Sequence, residues 1–472
     1  MNEIKQKAVE WLNNREETFR NMAKQIWQQP ELGLNETYAS TLQQSILQEE
    51  GFGVVEQLGG MDTAFYAEYG EGEPVIGVLG EFDALPGLSQ NIKPKKEPLV
   101  EGGPGHGCGH NLLGTAGVAS VIAIKHILQT TELQGTVRYY GCPAEETLIG
   151  KVYMAKDGIF DELDACLTWH PGDVNCTSMS SSLAVNSAHF NFSGVPAHAA
   201  VSPEQGRSAL DGVELMNIGT EYMREHISDK ARVHYSILKG GEEPNVVPPE
   251  AACWYYVRAP KREEVDRLYQ WILQIADGAA KMGQVDVKSE LLTACYNYLP
   301  NNTLSEIVLD NMKELGGPNY SEDDKDFAAQ LADTFTPGQK ETLEERGVPE
   351  NVRTQTLHST VLEEPYDAGQ VGSGSTDLGD VSWIVPVAQF TAATWPLGTA
   401  GHTWQVTAST GSGIGLTGMH FAAKTLTNSL IDLYSSPNTI KKAQEEFNEQ
   451  TDGNQYESPL PAEATPRMPE IE

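Results

Sequence analysis

Apolar residues recur with a helical spacing at the start of the chain. Ile4, Ala8, Trp11 and Leu12 follow one another at intervals of three or four residues, and a similar stripe begins near residue 38. This spacing places the apolar side chains on one face of a helix. The first 50 residues are therefore predicted to be helical.

Short runs that are apolar throughout come next, separated by helical stretches. They cover residues 75–79, 136–140, 165–169 and 385–390, and polar residues follow each run. Strands that are apolar throughout are typical of parallel sheets buried on both faces. Their alternation with helices predicts an α/β domain whose sheet is mostly parallel (mixed), with helices on both faces.

The middle of the chain has a different order of elements. It reads strand, helix, strand, strand, helix, strand, over residues 184–192, 208–226, 231–238, 251–258, 262–282 and 285–292. This order is typical of a ferredoxin-like α+β domain. We therefore expect an α/β domain formed by residues 1–183 and 296–436, interrupted by a domain inserted at 184–295.

Two further segments are predicted from their composition. Residues 321–370 are acidic and irregular, with two predicted helices, and we expect a surface insertion within the second part of the α/β domain. Residues 437–472 are rich in Glu, Gln and Pro, which predicts a C-terminal tail.

Charge and cysteine content narrow the possible partners. The 472 residues include 32 basic and 66 acidic side chains, for a net charge of -34. Such a surface repels phosphate backbones and anionic lipids, so neither a nucleic acid nor a membrane is expected as a partner. The six cysteines are too few for a disulfide scaffold, and the longest apolar run, 116–124, is shorter than the ~20 residues of a membrane span. We expect a cytoplasmic protein.

The segment Gly105-His-Gly-Cys-Gly-His-Asn111 is the strongest chemical signal in the chain. Glycines allow the loop to bend tightly, and a helix is predicted directly after it. Cys108 and His110 could then converge on one ion from the loop, and the helix N-terminus would favour the thiolate of Cys108. Thiolate and imidazole are good ligands for zinc-like ions. The alternative for the segment alone is a glycine-rich turn around a packed cysteine.

Other ligand-type residues follow predicted strands. Glu145 and Glu146 come after the second apolar run and His170 after the third, while His402 lies in a glycine-containing loop late in the chain. Two adjacent carboxylates point different ways in extended backbone, so one could bind a metal and the other act as a general base. Each alone has a simple structural explanation. Together they predict a metal site, because sites of open α/β sheets form beyond the carboxyl ends of the strands.

The chain resembles a known family through these motifs. The segments 105–111, 142–146 and 168–171 resemble the amidohydrolases of the dinuclear metallopeptidase family that includes carboxypeptidase G and the indole-acetyl amino-acid hydrolases. Further matching segments are 79–85, 197–200, 244–247, 258–260, 374–382 and 402–405. The resemblance covers residues 20 to 430 approximately.

The resemblance implies two divalent ions per chain, zinc or manganese. Their ligands would be Cys108, His110, Glu146, His170 and His402. Cys108 would bridge the two ions. Glu146 and His402 would complete the coordination of one ion. His110 and His170 would complete that of the other.

The resemblance also implies roles for residues that hold no metal. Glu145 would be the general base, and Asn245 and Arg258 would bind a substrate carboxylate. His198 would be a catalytic residue that reaches into the active site of a partner subunit and stabilises the oxyanion. The inserted domain would then serve as a dimerisation and lid domain. Glu81 and Asp83 are left without an assigned role, and we expect them to support the ligands.

The expected function is that of a metal-dependent amidohydrolase. It would cleave the amide of an N-acyl amino acid with a free carboxylate, such as p-aminobenzoyl-glutamate, or of a dipeptide. The partner in the dimer would be an identical chain or a paralogous chain, the A subunit of a two-subunit hydrolase. The alternatives are a dipeptidase of the same family, a hydrolase with Cys108 as nucleophile, and a non-catalytic binding subunit. A chelator would inactivate the metal enzyme and spare the cysteine enzyme.

Overall fold

The computed structural model describes residues 1–468, which form two compact units. Unit 1 comprises Met1–Ser180, Leu299–Gln370 and Val381–Tyr456. Unit 2 comprises Ser181–Tyr298 and Val371–Asp380, together with residues 457–468. The predicted insertion at 184–295 lies within unit 2.

The helices and strands follow one another in the predicted alternation. The strands are β1 (Gly53–Glu56), β2 (Phe65–Glu71), β3 (Val75–Glu81), β4 (Gly135–Cys142), β5 (Ala165–Gly172), β6 (Cys176–Ser178), β7 (Ala184–Ser193), β8 (Arg232–Lys239), β9 (Glu250–Ala259), β10 (Asp286–Cys295) and β11 (Val387–Ala393). The helices are α1 (Glu3–Asn14), α2 (Glu16–Gln28), α3 (Thr37–Glu49), α4 (His110–Thr130), α5 (Gly150–Lys156), α6 (Ala209–Met223), α7 (Arg262–Gly283), α8 (Asn302–Leu315), α9 (Glu322–Ala332), α10 (Pro337–Glu345), α11 (Glu350–Arg353), α12 (Leu378–Ser382), α13 (Trp404–Thr410), α14 (Gly413–Ser435) and α15 (Pro437–Gln450).

Unit 1 contains a seven-stranded sheet in the order β1-β2-β4-β3-β5-β11-β6. The four central strands, β4, β3, β5 and β11, are mutually parallel, whereas β1, β2 and β6 pair antiparallel at the edges. The predicted mixed, mostly parallel sheet is therefore confirmed. The edge strands were not predicted, because they are short or carry polar residues on an exposed face.

Helix α4 is the centre of the unit 1 core. It packs against β3, β4, β5 and α14, and almost all of its residues are buried. By length and composition it could cross a membrane, but 83% of its most apolar window is buried inside the unit. Core packing explains its apolar composition. Its burial also fixes the loop that immediately precedes it.

Unit 2 contains a four-stranded antiparallel sheet in the order β10-β7-β9-β8. Side chains from one face, including Phe190, Phe192 and Tyr255, pack with Ile272 of α7 in an apolar core. The succession β7, α6, β8, β9, α7, β10 confirms the ferredoxin-like prediction.

The acidic segment 321–370 differs from the predicted surface insertion. It holds three helices, α9 to α11, instead of two. Leu343, Val348 and Val352 pack in a small core with Val174 and Leu397 of the α/β domain. The acidic composition of the segment reflects its outer face and hides these buried anchors.

The region predicted as a C-terminal tail begins instead as helix α15. Ile440 and Ala443 are buried against unit 1, and the Glu446 carboxylate accepts hydrogen bonds from the backbone of Asn302 (2.6 Å) and Thr303 (2.9 Å). The few apolar residues of the segment lie on one helical face, which its overall composition does not show.

Candidate active site

The glycine-rich loop turns sharply so that Cys108 and His110 face the same region. Gly109 has a φ of 83°, and a Cβ there would lie 2.9 Å from the Pro171 side chain. Only glycine fits this left-handed position without strain. His110 is the first residue of α4. The prediction that the two residues converge from the loop is therefore consistent with the structure.

Cys108 lies beside His170. The Cys108 Sγ is 3.4 Å from Nε2 of His170, and Nδ1 of His170 is 2.7 Å from the carbonyl oxygen of Pro171. The carbonyl can only accept, so Nδ1 carries the proton and donates it. This leaves the lone pair of His170 Nε2 directed toward Cys108, as a metal ligand requires.

Asp83 connects two of the candidate ligands. Its Oδ1 lies 2.8 Å from His110 Nδ1, and its Oδ2 accepts the backbone N–H of Glu146 at 2.9 Å. A carboxylate behind a histidine fixes the ring orientation and the tautomer, with Nε2 turned toward the metal. Asp83 is therefore placed to support His110, as expected from the sequence.

Glu81 is held by a lysine that the sequence analysis missed. Lys151 Nζ lies 2.7 Å from Glu81 Oε1, and both side chains are buried. The other carboxylate oxygen of Glu81 is 3.2 Å from His110 Nε2. Burial opposes ionisation of Glu81, but the charges of Lys151, His110 and His170 together outweigh it and lower the pKa of the carboxyl. A single lysine in a short, almost wholly buried helix carries no signal from which this contact could be predicted.

Glu145 and Glu146 lie in a tight helical turn, Glu145–Thr147, and not in the extended backbone that the sequence suggested. Ala144 and Leu148 on either side have φ values of 53° and 59°. The buried carboxylate of Glu36 accepts the Ala144 N–H at 2.8 Å and holds the turn in place. The two glutamates still point to different partners.

These partners are the remaining histidines. Glu146 Oε2 lies 3.3 Å from Nε2 of His402, and Glu145 Oε2 lies 4.0 Å from Nε2 of His110. His402 has a φ of 56°, and its N–H donates to the carbonyl of Gly107 at 3.0 Å. The loop of His402 is thus attached to the glycine-rich loop.

Three sets of ligand atoms lie within 4.8 Å of one another. They are Cys108, His110 and His170; Cys108, Glu146 and His402; and Glu81, His110 and Glu145. The first two sets share Cys108, as expected for a thiolate between two ions. The five residues predicted as ligands are therefore all brought together in unit 1, with Glu145 beside them.

The chemistry of this cluster fits divalent ions. His110 Nε2 and Glu146 Oε1 are buried, and neither makes a hydrogen bond of good geometry within residues 1–468, although Glu81 lies 3.2 Å from His110 Nε2. A buried polar atom without a partner costs free energy, and a cation would satisfy both atoms. Thiolate, imidazole and carboxylate together suit zinc or manganese.

The protonation states in the metal-free protein differ from one expectation. Burial and then the carboxylate of Glu146 raise the pKa of the Cys108 thiol, so the helix N-terminus alone does not produce a thiolate. Burial also raises the pKa of Glu146 to about 7 and lowers that of His170 to about 4. Bound cations would reverse the first two shifts, because metal binding displaces protons from its ligands.

The three other predicted site residues lie in unit 2. His198 and Asn245 are exposed on neighbouring segments, where the Ala199 N–H donates to the Asn245 carbonyl at 2.9 Å. Arg258 lies on β9, with its guanidinium 5.1 Å from the ring centre of Tyr256. Its Nε is buried and makes no hydrogen bond within residues 1–468.

Comparison with known proteins finds relatives that cover almost the whole chain. The chain is 40% identical to the B subunit of p-aminobenzoyl-glutamate hydrolase from Escherichia coli (strain K12) over 459 residues, which cover 95% of each chain. It is 28% identical to the Xaa-Arg dipeptidase of Mus musculus over 94% of this chain and 92% of that one. Residues 184–283 match the peptidase dimerisation domain of the M20 peptidases.

A solved structure shares the fold. It is a dinuclear metal-binding peptidase of the M20 family from Bacillus subtilis, with a TM-score of 0.53 and 17% identity, over 88% of this chain and 98% of that one. The chain belongs to the M20 family. M20 proteins are metal-dependent hydrolases of amide bonds, and the present chain is therefore a metal-dependent amidohydrolase with a dimerisation domain.

Proposed function

We propose that this M20 amidohydrolase cleaves N-acyl amino acids that carry a free carboxylate, with p-aminobenzoyl-glutamate as its first candidate substrate. The observation that carries the proposal is the shared position of Cys108 between two ligand sets, with Glu145 beside them. The similarity to p-aminobenzoyl-glutamate hydrolase supports the choice of acyl group and amino acid.

Two divalent ions per chain, zinc or manganese, are part of the proposal. Cys108, His110 and His170 would hold one, and Glu146 and His402, again with Cys108, would hold the other. When bound, such ions lower the pKa of a water molecule and stabilise negative charge on the substrate oxygen. Side chains of the protein would carry out the proton transfer and bind the substrate.

Glu145 is the proposed general base. Its carboxylate lies 4.0 Å from His110 Nε2 and is 12% exposed, so it borders the ligand cluster while remaining in reach of a water molecule. It would accept the proton of the attacking water and pass it to the nitrogen of the leaving amine as the amide bond breaks.

Arg258 is the proposed recognition group for the substrate carboxylate. Its guanidinium is fixed over Tyr256, and its buried Nε lacks a hydrogen-bond acceptor within residues 1–468. A carboxylate can accept two parallel hydrogen bonds from a guanidinium. Asn245 would add an amide donor to the same carboxylate.

A homodimer is proposed as the working assembly, with a heterodimer containing a paralogous A subunit as the alternative. The match of 184–283 to the peptidase dimerisation domain supports a dimer. The relatives include both A and B subunits of the hydrolase, which supports the alternative. His198 would act in the partner's site and stabilise the oxyanion there.

A cytoplasmic location is also proposed. All six cysteines are free thiols, which is typical of a reducing compartment. Cell fractionation with detection of the chain would test it, and recovery in a membrane or extracellular fraction would contradict it.

The cysteine-nucleophile alternative has one observation in its favour, the 3.4 Å contact between Cys108 and His170. A thiolate–imidazolium pair needs a low thiol pKa and a high imidazole pKa. The shifts run the other way, since burial raises the pKa of Cys108 and lowers that of His170 to about 4. The metal-dependent reaction fits these groups better.

A substrate screen tests the proposal. The protein is reloaded with zinc or manganese and incubated with p-aminobenzoyl-glutamate, other N-acyl amino acids and dipeptides, including Xaa-Arg dipeptides. Release of the amine is the readout. The proposal predicts the highest kcat/KM for an acyl amino acid and none after chelation. A preference for dipeptides would favour the dipeptidase alternative.

A further inference from the structure

We propose that the segment 321–370 positions His402 for metal binding, through a contact chain from Arg346 to Asp173 to Gly398. The inference rests on the proposed function, because it takes His402 as a metal ligand. The inference assigns a structural role to the segment 321–370, which the sequence identifies only as an acidic insertion. Arg346 is a positioning residue here, since it touches neither an ion nor a substrate.

The first step of the chain is a two-pronged ion pair. The Nη1 and Nη2 atoms of Arg346 each donate to one carboxylate oxygen of Asp173 at 2.8 Å, and Nη2 also donates to the Tyr366 hydroxyl at 3.0 Å. Asp173 is buried. A bidentate guanidinium fixes a carboxylate in orientation as well as in position.

The second step joins this carboxylate to the loop of His402. Asp173 Oδ2 accepts the backbone N–H of Gly398 at 3.1 Å. Asp173 also follows β5, the strand that carries His170. One carboxylate thus lies between two segments that carry ligands, and Arg346 holds it there.

The loop of His402 contacts the segment 321–370 at two further points. A Cβ at Gly398 would be 3.1 Å from the carbonyl oxygen of Gln339 and 3.6 Å from the Leu343 side chain. The N–H of Leu397 donates to the carbonyl of Thr356 at 2.9 Å. The loop is therefore held at Leu397 and Gly398, shortly before it reaches His402.

His402 needs this support because of its backbone conformation. Its φ of 56° is in the left-handed region, which costs free energy for a residue with a side chain. Its side chain is 55% exposed, so core packing does not hold it. Such a conformation persists only where the surroundings fix it. The bond from the His402 N–H to the Gly107 carbonyl fixes one side of the loop, and the contacts from Arg346 through Gly398 fix the other.

The test compares four forms of the full chain: the natural protein, Arg346→Met, Arg346→Lys and Arg353→Met. Arg353 lies in the same segment and pairs with Glu344, and no described contact joins it to Asp173 or Gly398, so it is the matched control. Each form is stripped with a chelator and titrated with zinc. The dissociation constants of both ions are measured by competition with a coloured chelator, together with the thermal midpoint of the metal-free protein.

The inference predicts that Arg346→Met weakens the binding of the ion that His402 would hold. The expected loss of affinity is about 10- to 100-fold, the range for residues that orient metal ligands. The other ion should change by much less. Arg346→Lys should recover part of the loss, because it retains the charge but loses the fork. Arg353→Met should bind both ions as the natural protein does.

Three results would overturn the inference: unchanged affinity for both ions in Arg346→Met, equal weakening of both ions, or the same loss in Arg353→Met. If Arg346→Met does not fold, Arg346→Lys and Asp173→Asn give the same comparison with smaller changes. A natural protein that binds fewer than two ions would instead contradict the proposed function. The two failures are therefore distinguishable.

Discussion

The carboxylate of Asp83 lies 2.8 Å from Nδ1 of His110 and 2.9 Å from the backbone nitrogen of Glu146. One side chain thus orients two proposed ligands of different ions. Burial opposes the charge on Asp83, but His110, the backbone N–H of Glu146 and the charge of Lys151 together outweigh burial and lower the pKa of the carboxyl. Asp83 is therefore expected to stay charged and to fix the tautomer of His110.

Asp83→Asn should weaken metal binding without unfolding the protein. The amide nearly preserves the shape, but it can present an N–H to His110 in place of an acceptor, which removes the preference for the tautomer with Nε2 free. We expect metal affinity to fall by about 10- to 100-fold. Zinc titration of the metal-free protein measures it, with the exposed Asp62→Asn as control. Equal affinities in the two variants would rule out this role.

Glu145→Gln should retain both ions and lose turnover by at least about 100-fold, the lower range for general acid–base catalysis. Glu146 can bind metal while Glu145 is left for proton transfer. The measurements are metal content by elemental analysis and kcat on the best substrate of the screen. The exposed Glu132→Gln is the control. A normal rate with metal intact would place the base elsewhere.

Lys151→Met should destabilise the metal-free protein by about 3–5 kcal/mol, because it leaves the buried Glu81 charge without its partner. The pair is fully enclosed, with Nζ and Oε1 2.7 Å apart. Urea unfolding measures the change. Adding Glu81→Gln should recover much of the lost stability, since the uncompensated charge is then gone. A double variant no more stable than Lys151→Met would contradict this explanation.

His198→Ala and Glu145→Gln chains should complement each other when mixed. If His198 acts in the partner's site, a mixed dimer has one site with both defects and one with neither. It should recover up to about half the activity of the natural dimer, given two-fold symmetry. Native mass spectrometry must show that subunits exchange. Exchange without recovered activity would place His198 in the site of its own chain or in no site. A monomeric protein would contradict the proposed role of His198 in a partner's site.

Much of the fold could be predicted from the sequence because its signals are local. Four apolar runs became the parallel strands β3, β4, β5 and β11, and the ferredoxin-like order of unit 2 followed from its periodicity. Helix α15 was missed, because two buried residues in a polar segment give a weak pattern. The edge strands were missed for a similar reason.

Some residues of the candidate site could be predicted from the sequence, and others could not. Cys108, His110 and the Glu145–Glu146 pair stand in compact motifs, so they could be found in the sequence. Lys151 and Arg346 could not be, because each acts through one partner distant in the chain, Glu81 or Asp173. Nothing in the local sequence of a lysine or an arginine indicates which carboxylate it will meet in the folded protein.

The central claim is that two ions share the thiolate of Cys108. Anomalous diffraction at the zinc edge, from crystals of the zinc-loaded protein, tests it most directly. The account predicts two peaks per chain, both bonded to Cys108 Sγ, one also to His110 and His170 and the other to Glu146 and His402. A single peak, no peak, or an ion held by Glu81 and Glu145 away from Cys108 would contradict it.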